Sequence, residues 1–159
     1  MSKKETKTNA MRILERNKIS YKVHRYECKE FIDGVTIADA LEEPYEKVFK
    51  TLVTLGKSND YFVFVIPIAE ELDLKKAAKA VGEKSIEMIH VKDINKVTGY
   101  IRGGCTAIGM KKDYKTVVHE TVADLDTIFV SGGKNGIQVE LLPKDYLKAC
   151  KGTLADIIK

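Results

Sequence analysis

The spacing of hydrophobic residues along the chain predicts short strands mixed irregularly with helices. In six or seven segments, apolar residues recur at every second position or form short continuous runs, as is typical of half-buried and buried strands. Two of these segments are joined by the turn-rich residues 56–60, which predicts a hairpin. The predicted strands cover residues 21–27, 48–55, 61–66, 86–89, 114–118, 127–130 and 137–142.

Helix signals separate these strands. Thr8 and Asp73 are residue types that cap helix N-termini, Gly82 is typical of the position after a helix, and Pro143 suits a first helical turn. Because strands and helices do not alternate strictly, we predict a single α+β domain over residues 1–159, with one mixed sheet or partial barrel surrounded by helices. The predicted helices cover residues 8–17, 36–41, 73–81, 92–97 and 143–149, with a terminal turn over 154–158.

Lys50 interrupts a predicted strand at a position that should be partly buried. Strand alternation places its side chain on the same face as Val48 and Leu52. Burying an unpaired ammonium group is costly or lowers its pKa, so such a lysine usually has a partner, and an anionic ligand would serve. The alternative is a lysine on an edge strand whose ammonium group stays in water.

Two glycine-rich loops, 99–109 and 131–136, are candidate walls of a site. The first has four glycines in eleven residues, which allows positive φ angles and leaves N–H groups able to bind a carbonyl or phosphate oxygen. It lacks the spacing of a phosphate-binding loop or a dinucleotide fingerprint. The second contains Asn135-Gly136, a common hairpin turn. Ser131-Gly132-Gly133 exceeds what that turn needs, and Ser131 could form a hydrogen bond at a site wall.

The composition is that of a globular protein and argues against several functional classes. Of 159 residues, 44% are hydrophobic and 31% charged, and no apolar run approaches the roughly 18 residues of a membrane span. The polar N-terminus lacks the features of a signal peptide, so a cytoplasmic protein without a membrane partner is expected. Three cysteines and three histidines show no disulfide or metal-ligand spacing, so we expect no metal and no cofactor. Cys105 is interpreted as an inert thiol.

The net charge of +4 is concentrated near the N-terminus. Residues 1–30 contain nine basic and four acidic side chains, a balance of +5, whereas the remainder contains 18 basic and 19 acidic side chains. Local positive potential of this kind favours a phosphate backbone. A solvated helix face is the alternative interpretation.

Taken in order, several motifs closely resemble those of the YbaK/EbsC family, free-standing relatives of the editing domain inserted in bacterial prolyl-tRNA synthetases. The resemblance extends from about Met11 to Ile157, and it depends on the order and spacing of all the motifs. These are Tyr26, Phe49-Lys50-Thr51-Leu52, Leu72-Asp73-Leu74-Lys75-Lys76, Thr98-Gly99-Tyr100, Gly103-Gly104, Gly109 and Ser131-Gly132-Gly133-Lys134.

This resemblance implies an aminoacyl-tRNA deacylase with a mixed β core and with Lys50 as the central catalytic residue. The most similar subgroup removes cysteine from Cys-tRNA(Pro) and, less selectively, from other cysteinyl-tRNAs such as Cys-tRNA(Cys). The substrate thiol would attack its own ester carbonyl and form a thiolactone. The implied partners are the acceptor end of aminoacylated tRNA and, as a candidate, prolyl-tRNA synthetase. The implied substrate-binding residues are Tyr26, Thr51, Gly103, Gly104, Thr106, Gly109, Ser131, Gly132 and Gly133.

Three departures from the family pattern leave the amino-acid preference open. Thr106-Ala107 replaces a frequent Ser-Pro, the segment 30–34 looks shorter, and Gln138 replaces a frequent acidic residue, so Gln138 is left out of the catalytic set. One alternative is a deacylase for another small amino acid, for example Ala-tRNA(Pro). The other is a non-catalytic module that binds tRNA or a synthetase.

Overall fold

A computed structural model describes residues 7–27 and 34–159, the side chains of residues 34 and 35 excepted. Within these ranges the chain forms five α-helices and eight β-strands, with short 3-10 turns between them. The helices are α1 (Asn9–Arg16), α2 (Gly34–Leu41), α3 (Leu74–Val81), α4 (Ile94–Thr98) and α5 (Pro143–Cys150). The strands are β1 (Lys22–Arg25), β2 (Phe49–Gly56), β3 (Tyr61–Pro67), β4 (Ile86–Met88), β5 (Lys115–His119), β6 (Ile128–Ser131), β7 (Ile137–Leu141) and β8 (Thr153–Ala155).

The strands form two sheets. The first is antiparallel, in the order β1-β7-β6, and the second has the order β4-β2-β3-β5-β8. In the second sheet β4, β2 and β3 pair antiparallel, whereas β3, β5 and β8 pair parallel. A single parallel bridge between Val48 and Phe129 connects the two sheets. The predicted α+β class with a mixed β core is therefore confirmed, as two connected sheets and not as a closed barrel.

The eighth strand corrects the sequence prediction at the C-terminus. A terminal turn is expected over residues 154–158, but Thr153–Ala155 is a strand that pairs parallel with β5. Three residues are too few to show strand alternation, and this strand exists because β5 offers it an edge. The predicted helix over 92–97 is divided into a 3-10 turn, Val91–Asp93, and α4.

Alternation in β3 explains why both faces of the five-stranded sheet are covered. Val63 and Val65 point into a core beneath α1, which includes Leu14 and the buried residues of β6 and β7. Phe64 and Ile66 point to the opposite face and pack with Ala77 of α3. Complete burial of each such side chain contributes about 1.5–3 kcal/mol, so the central hairpin is the rigid part on which the neighbouring loops are built.

Helix α1 is held against the second glycine-rich loop at its N-terminus. Thr8 caps the helix by accepting a hydrogen bond from Met11 N at 3.1 Å, and its hydroxyl donates to the carbonyl of Gly132 at 2.5 Å. Asn9 Nδ2 donates to the carbonyl of Gly109 in the first loop at 2.9 Å. The first turn of α1 therefore fixes both glycine-rich loops. No helix in the part of the chain that the structure describes is long and apolar enough to cross a membrane.

The two sheets separate along one edge of β2. Strand β4 pairs with residues 54–56 of β2, and the bridge to β6 is at Val48. Between these two points none of the described strands pairs with the edge of β2, although Ile89 N donates to the carbonyl of Val53 at 3.3 Å, and residues 49–53 line an open space. The candidate functional site lies there.

Candidate functional site

A cavity of about 340 Å³ lies along this edge of β2. Both glycine-rich loops contribute to it: the first through Arg102, Gly103 and Cys105, and the second through Ser131. An apolar wall made by Met88, Ile89, Val91 and Ile94 completes it on the side of β4 and α4. The cavity is thus mostly apolar with a few polar groups, which is typical of a small-ligand site.

Lys50 lies in this cavity and is half-buried. Burial lowers the pKa of its ammonium group, and the more distant charges of Glu71 and Glu70 partly oppose that effect. Both glutamates are exposed, and no carboxylate among the residues that the structure describes forms an ion pair with Lys50. The protein therefore holds a partly desolvated cation without a counterion among its described residues.

The charge of the cavity favours an anionic ligand. Lys50 and Arg102 both line it, whereas the described lining residues include neither aspartate nor glutamate. In a partly desolvated site the attraction between a cation and an anion is stronger than in water. A phosphate, or an oxygen that becomes negative during a reaction, is the type of group that this arrangement stabilises.

The first glycine-rich loop is closed by a buried tyrosine. Tyr100 donates its hydroxyl to the carbonyl of Ile108 at 2.6 Å, and its backbone N–H donates to Thr98 Oγ1 at 3.0 Å. Gly103 has a φ of 86°, which favours glycine, and it lines the cavity. The N–H of Gly104 already donates to the carbonyl of Ile101 at 3.0 Å. The N–H of Gly103, in contrast, forms no hydrogen bond with the described residues, so of the two it is the better candidate to bind a ligand.

We expect Tyr100→Phe to destabilise the protein by about 1–2 kcal/mol, because it removes a buried hydrogen bond and leaves the carbonyl of Ile108 unpaired. Urea denaturation measures this loss. Tyr21→Phe is the matched control, since the Tyr21 hydroxyl donates to exposed Glu15, which water can solvate instead. Equal losses for the two variants would contradict the role given to Tyr100.

The two glycine-rich loops pack directly against each other. A Cβ atom added to Gly104 would lie 2.9 Å from Lys134 Cα, in the second loop. Gly132 and Gly109 accept the hydrogen bonds from α1 described above, and Gly133 lies against Tyr100. These four glycines allow close packing of the loops, and they position the cavity wall without lining the cavity.

The structure brings together part of the set of residues predicted from sequence. Lys50, Thr51, Gly103 and Ser131 line one cavity. Tyr26 packs beside it, against a cluster that includes the lining residues Ile37 and Ile68. Thr106 is fully buried inside the first loop, where its hydroxyl is 3.4 Å from Ile108 N. Whether any of these residues contacts a substrate stays a prediction, and Cys28 and residues 30–33 lie outside the described part of the chain.

Sequence reasoning missed Arg102, Gln138 and the apolar wall over 88–94. The neutral side chain of Gln138 argues against a catalytic role, but the residue lines the cavity and is 3% exposed. The strand register could have identified Gln138 as a site residue, since the antiparallel hairpin of β6 and β7 places it directly opposite Ser131. The apolar wall gives no comparable signal, because its position depends on the pairing of β4 with β2.

The described lining residues offer no activated nucleophile. Burial raises the pKa of the Cys105 thiol to about 11, so this thiol is neutral near pH 7. Ser131 Oγ accepts a hydrogen bond from Gly133 N at 3.1 Å, and no histidine lines the cavity in the described ranges. Groups of three or more potential metal ligands are likewise absent from the described residues. What the described lining residues can offer a ligand is therefore positive charge and hydrogen bonds that orient it.

Comparison with solved structures shows that the fold is shared with known proteins. A structure described as a trans-editing enzyme for prolyl-tRNA synthetase superposes with a TM-score of 0.83 at 20% identity, covering 97% of this chain and 99% of that one. A scaffold protein used for computational epitope grafting gives a TM-score of 0.82 at 20% identity, covering 96% and 98%. At this level of identity the likeness shows a shared α+β fold.

Sequence comparison identifies the family. The family model for the aminoacyl-tRNA editing domain matches residues 33–149. A protein of Enterococcus faecalis named for Cys-tRNA(Pro)/Cys-tRNA(Cys) deacylation, EbsC, is 46% identical over 160 residues, which covers 99% of this chain and 98% of the relative. The chain belongs to the aminoacyl-tRNA editing domain family, and the resemblance found from its motifs is confirmed.

Proposed function

We propose that this protein is an aminoacyl-tRNA deacylase that removes cysteine from mischarged Cys-tRNA(Pro) and also accepts Cys-tRNA(Cys). The observation that carries the proposal is Lys50, a half-buried cation without a described counterion that shares one cavity with both glycine-rich loops. The family supplies the reaction class, and the similarity to EbsC over nearly the whole chain supports cysteine as the amino acid. One domain over residues 1–159 performs the reaction.

The cavity suits a reaction in which the substrate provides the nucleophile. The cysteine thiol of the substrate attacks its own ester carbonyl, the bond between that carbon and the ribose oxygen breaks, and a β-thiolactone forms. The thiol proton is lost and the ribose oxygen gains one, so the step is balanced without a protein base. An intramolecular nucleophile held close to the carbonyl needs little further activation. Lys50 and the N–H of Gly103 stabilise the negative charge that develops on the carbonyl oxygen.

The surface beside the cavity suits the phosphate backbone of an acceptor stem. Helix α1 touches both glycine-rich loops, and its Arg12 and Arg16 side chains are exposed. Binding through such charges weakens as salt increases. A small cavity distinguishes one amino acid from another more readily than one tRNA from another, so prolyl-tRNA synthetase is the partner proposed to supply tRNA(Pro) selectivity. The cytoplasm, where charged tRNA is used, is the proposed location.

A panel of charged tRNAs tests this function. tRNA(Pro) carrying cysteine, serine or alanine is incubated with the purified protein, with and without prolyl-tRNA synthetase, and loss of the ester is followed. We expect the cysteinyl ester to be cleaved, whereas the seryl and alanyl esters survive because they lack the thiol. Cleavage of the alanyl ester would instead indicate an editor of small amino acids. Salt-dependent binding without cleavage of any ester would indicate a non-catalytic module.

A further inference from the structure

Gln138 carries an unused hydrogen-bond acceptor in the wall of the cavity. The residue lines the cavity and is 3% exposed, and its Oε1 atom is buried without a hydrogen-bond partner among the described residues. Its two cross-strand neighbours are engaged elsewhere. Ser131 Oγ accepts from Gly133 N at 3.1 Å, and His24 Nε2 lies 2.9 Å from Glu140 Oε1. A buried acceptor in this state is unusual, since nearly all such groups in folded proteins are paired.

We propose that Gln138 Oε1 accepts a hydrogen bond from the α-ammonium group of the bound aminoacyl ester. This inference rests on the proposed function. An amide oxygen cannot accept a hydrogen bond from the anionic groups that Lys50 attracts, so its partner in a ligand must be a hydrogen-bond donor. The α-ammonium group is the one positively charged donor at the aminoacylated end of a tRNA, and the described lining residues offer it no carboxylate. The amide oxygen of Gln138 is thus the buried acceptor that complements it.

The geometry of glutamine allows this contact without movement of the backbone. The last side-chain torsion of glutamine has a broad, roughly two-fold profile, so a rotation that turns the oxygen toward the cavity is easy. Strand pairing on both sides of Gln138 fixes its backbone. The residue would therefore determine specificity by requiring an α-amino group, while the chemistry at the carbonyl depends on Lys50.

Binding of two non-cleavable ligands tests the proposal. Both are acceptor-stem minihelices ending in 3′-amino-3′-deoxyadenosine, one linked through an amide to cysteine and the other to 3-mercaptopropionate, which lacks only the α-amino group. Titrations at pH about 6.5 keep that group protonated, since its ordinary pKa is about 7.7–8.0. We expect the wild-type protein to bind the cysteinyl ligand about 10- to 100-fold more tightly, as is typical for a hydrogen bond to a charged group. Gln138→Met should abolish this preference, and Gln138→Glu should retain it.

The melting temperature of Gln138→Met distinguishes a role of Gln138 in ligand binding from a role in holding the fold together. Because Gln138→Met removes an unpaired buried acceptor, we expect it to raise the melting temperature by a few degrees, whereas loss of a structural hydrogen bond would lower it. Equal affinity of the wild-type protein for the two ligands overturns the proposal, as does a preference that survives in Gln138→Met. If the proposed function itself is wrong, the result is a different one: the wild-type protein leaves Cys-tRNA(Pro) intact.

Discussion

Replacing Lys50 by alanine should lower kcat/KM for Cys-tRNA(Pro) deacylation by at least about 100-fold while leaving the fold intact. Loss of one preorganised group that stabilises an oxyanion typically costs about 3 kcal/mol. Lys50 is also the half-buried cation of the cavity without a described counterion. Its removal eliminates an uncompensated charge, so the free energy of unfolding should stay unchanged or rise slightly. Single-turnover deacylation and urea denaturation measure the two effects.

Lys47→Ala is the matched control for this variant. Lys47 lies three residues before Lys50, but it forms an ion pair with Asp126 at 3.2 Å and its Nζ is 5.9 Å from the Phe129 ring centroid, outside the set of cavity residues. Its loss should leave deacylation within about twofold of the wild-type rate, because Lys47 does not line the cavity and its ion-pair partner Asp126 is exposed to solvent. Wild-type turnover by Lys50→Ala would remove Lys50 from the mechanism.

The pH dependence of stability and of deacylation should both reflect the ionisation of Lys50. Burial lowers the pKa of Lys50 in the folded state, so the unfolded chain binds more protons than the folded protein between that lowered pKa and the ordinary value of about 10.5. Stability therefore contains a contribution that rises with pH through this window, and Lys50→Met should abolish it. Deacylation that requires the charged ammonium group should fall over the same window, after subtraction of the uncatalysed ester loss measured without protein.

The parts of the fold that local sequence determines were predictable. Thr8 and Asp73 do cap α1 and α3, and the turn dipeptide Asn135-Gly136 does connect an antiparallel hairpin. Strand alternation alone also predicts a partly buried position for Lys50, and its side chain is half-buried in β2. In each case the signal lies within a few residues of the feature that it predicts.

The parts that depend on distant pairing were not predictable. The edge of β2 is open because β4 pairs with only its last residues, and nothing in the β2 sequence indicates this. The same pairing brings Met88 and Val91 across from Lys50 as an apolar wall. For Gln138, the position opposite Ser131 predicts that the residue belongs to the site better than its lack of charge predicts that it does not. Strand register and topology determine which residues line the cavity, and the type of side chain determines only what each of them can do there.

The glycines of the first loop also show that residues of one type can have different roles in the site. A glycine-rich loop suggests N–H groups directed at a ligand, and Gly103 suits that role. Gly104, in contrast, has its N–H bonded to the carbonyl of Ile101, and its missing side chain makes room for the backbone of the other loop. It supports the site indirectly, by allowing the two loops to touch.

Gly104→Val should therefore cause the second large loss of activity, by displacing one loop relative to the other. The added Cβ would meet the Cα, C and N atoms of Lys134 at 2.9–3.1 Å, and backbone atoms cannot move aside as a flexible side chain can. We expect deacylation to fall by about 100-fold, since small misplacements of a site have effects of this size. We also expect the free energy of unfolding to fall by about 1–3 kcal/mol, as is usual for overpacking. Gly104→Ala should show the same two effects at smaller size.

Gly82→Ala distinguishes this steric effect from a general loss of stability. Gly82 follows α3 with a φ of 74°, where alanine is strained, but an added Cβ would have no atom within 4 Å. That variant should lose about 1 kcal/mol of stability and keep its activity. If Gly82→Ala lost activity in proportion to stability, the effect at Gly104 would be explained by unfolding. If it stays active while Gly104→Val does not, contact between the two glycine-rich loops is what holds the cavity wall in the position that deacylation requires.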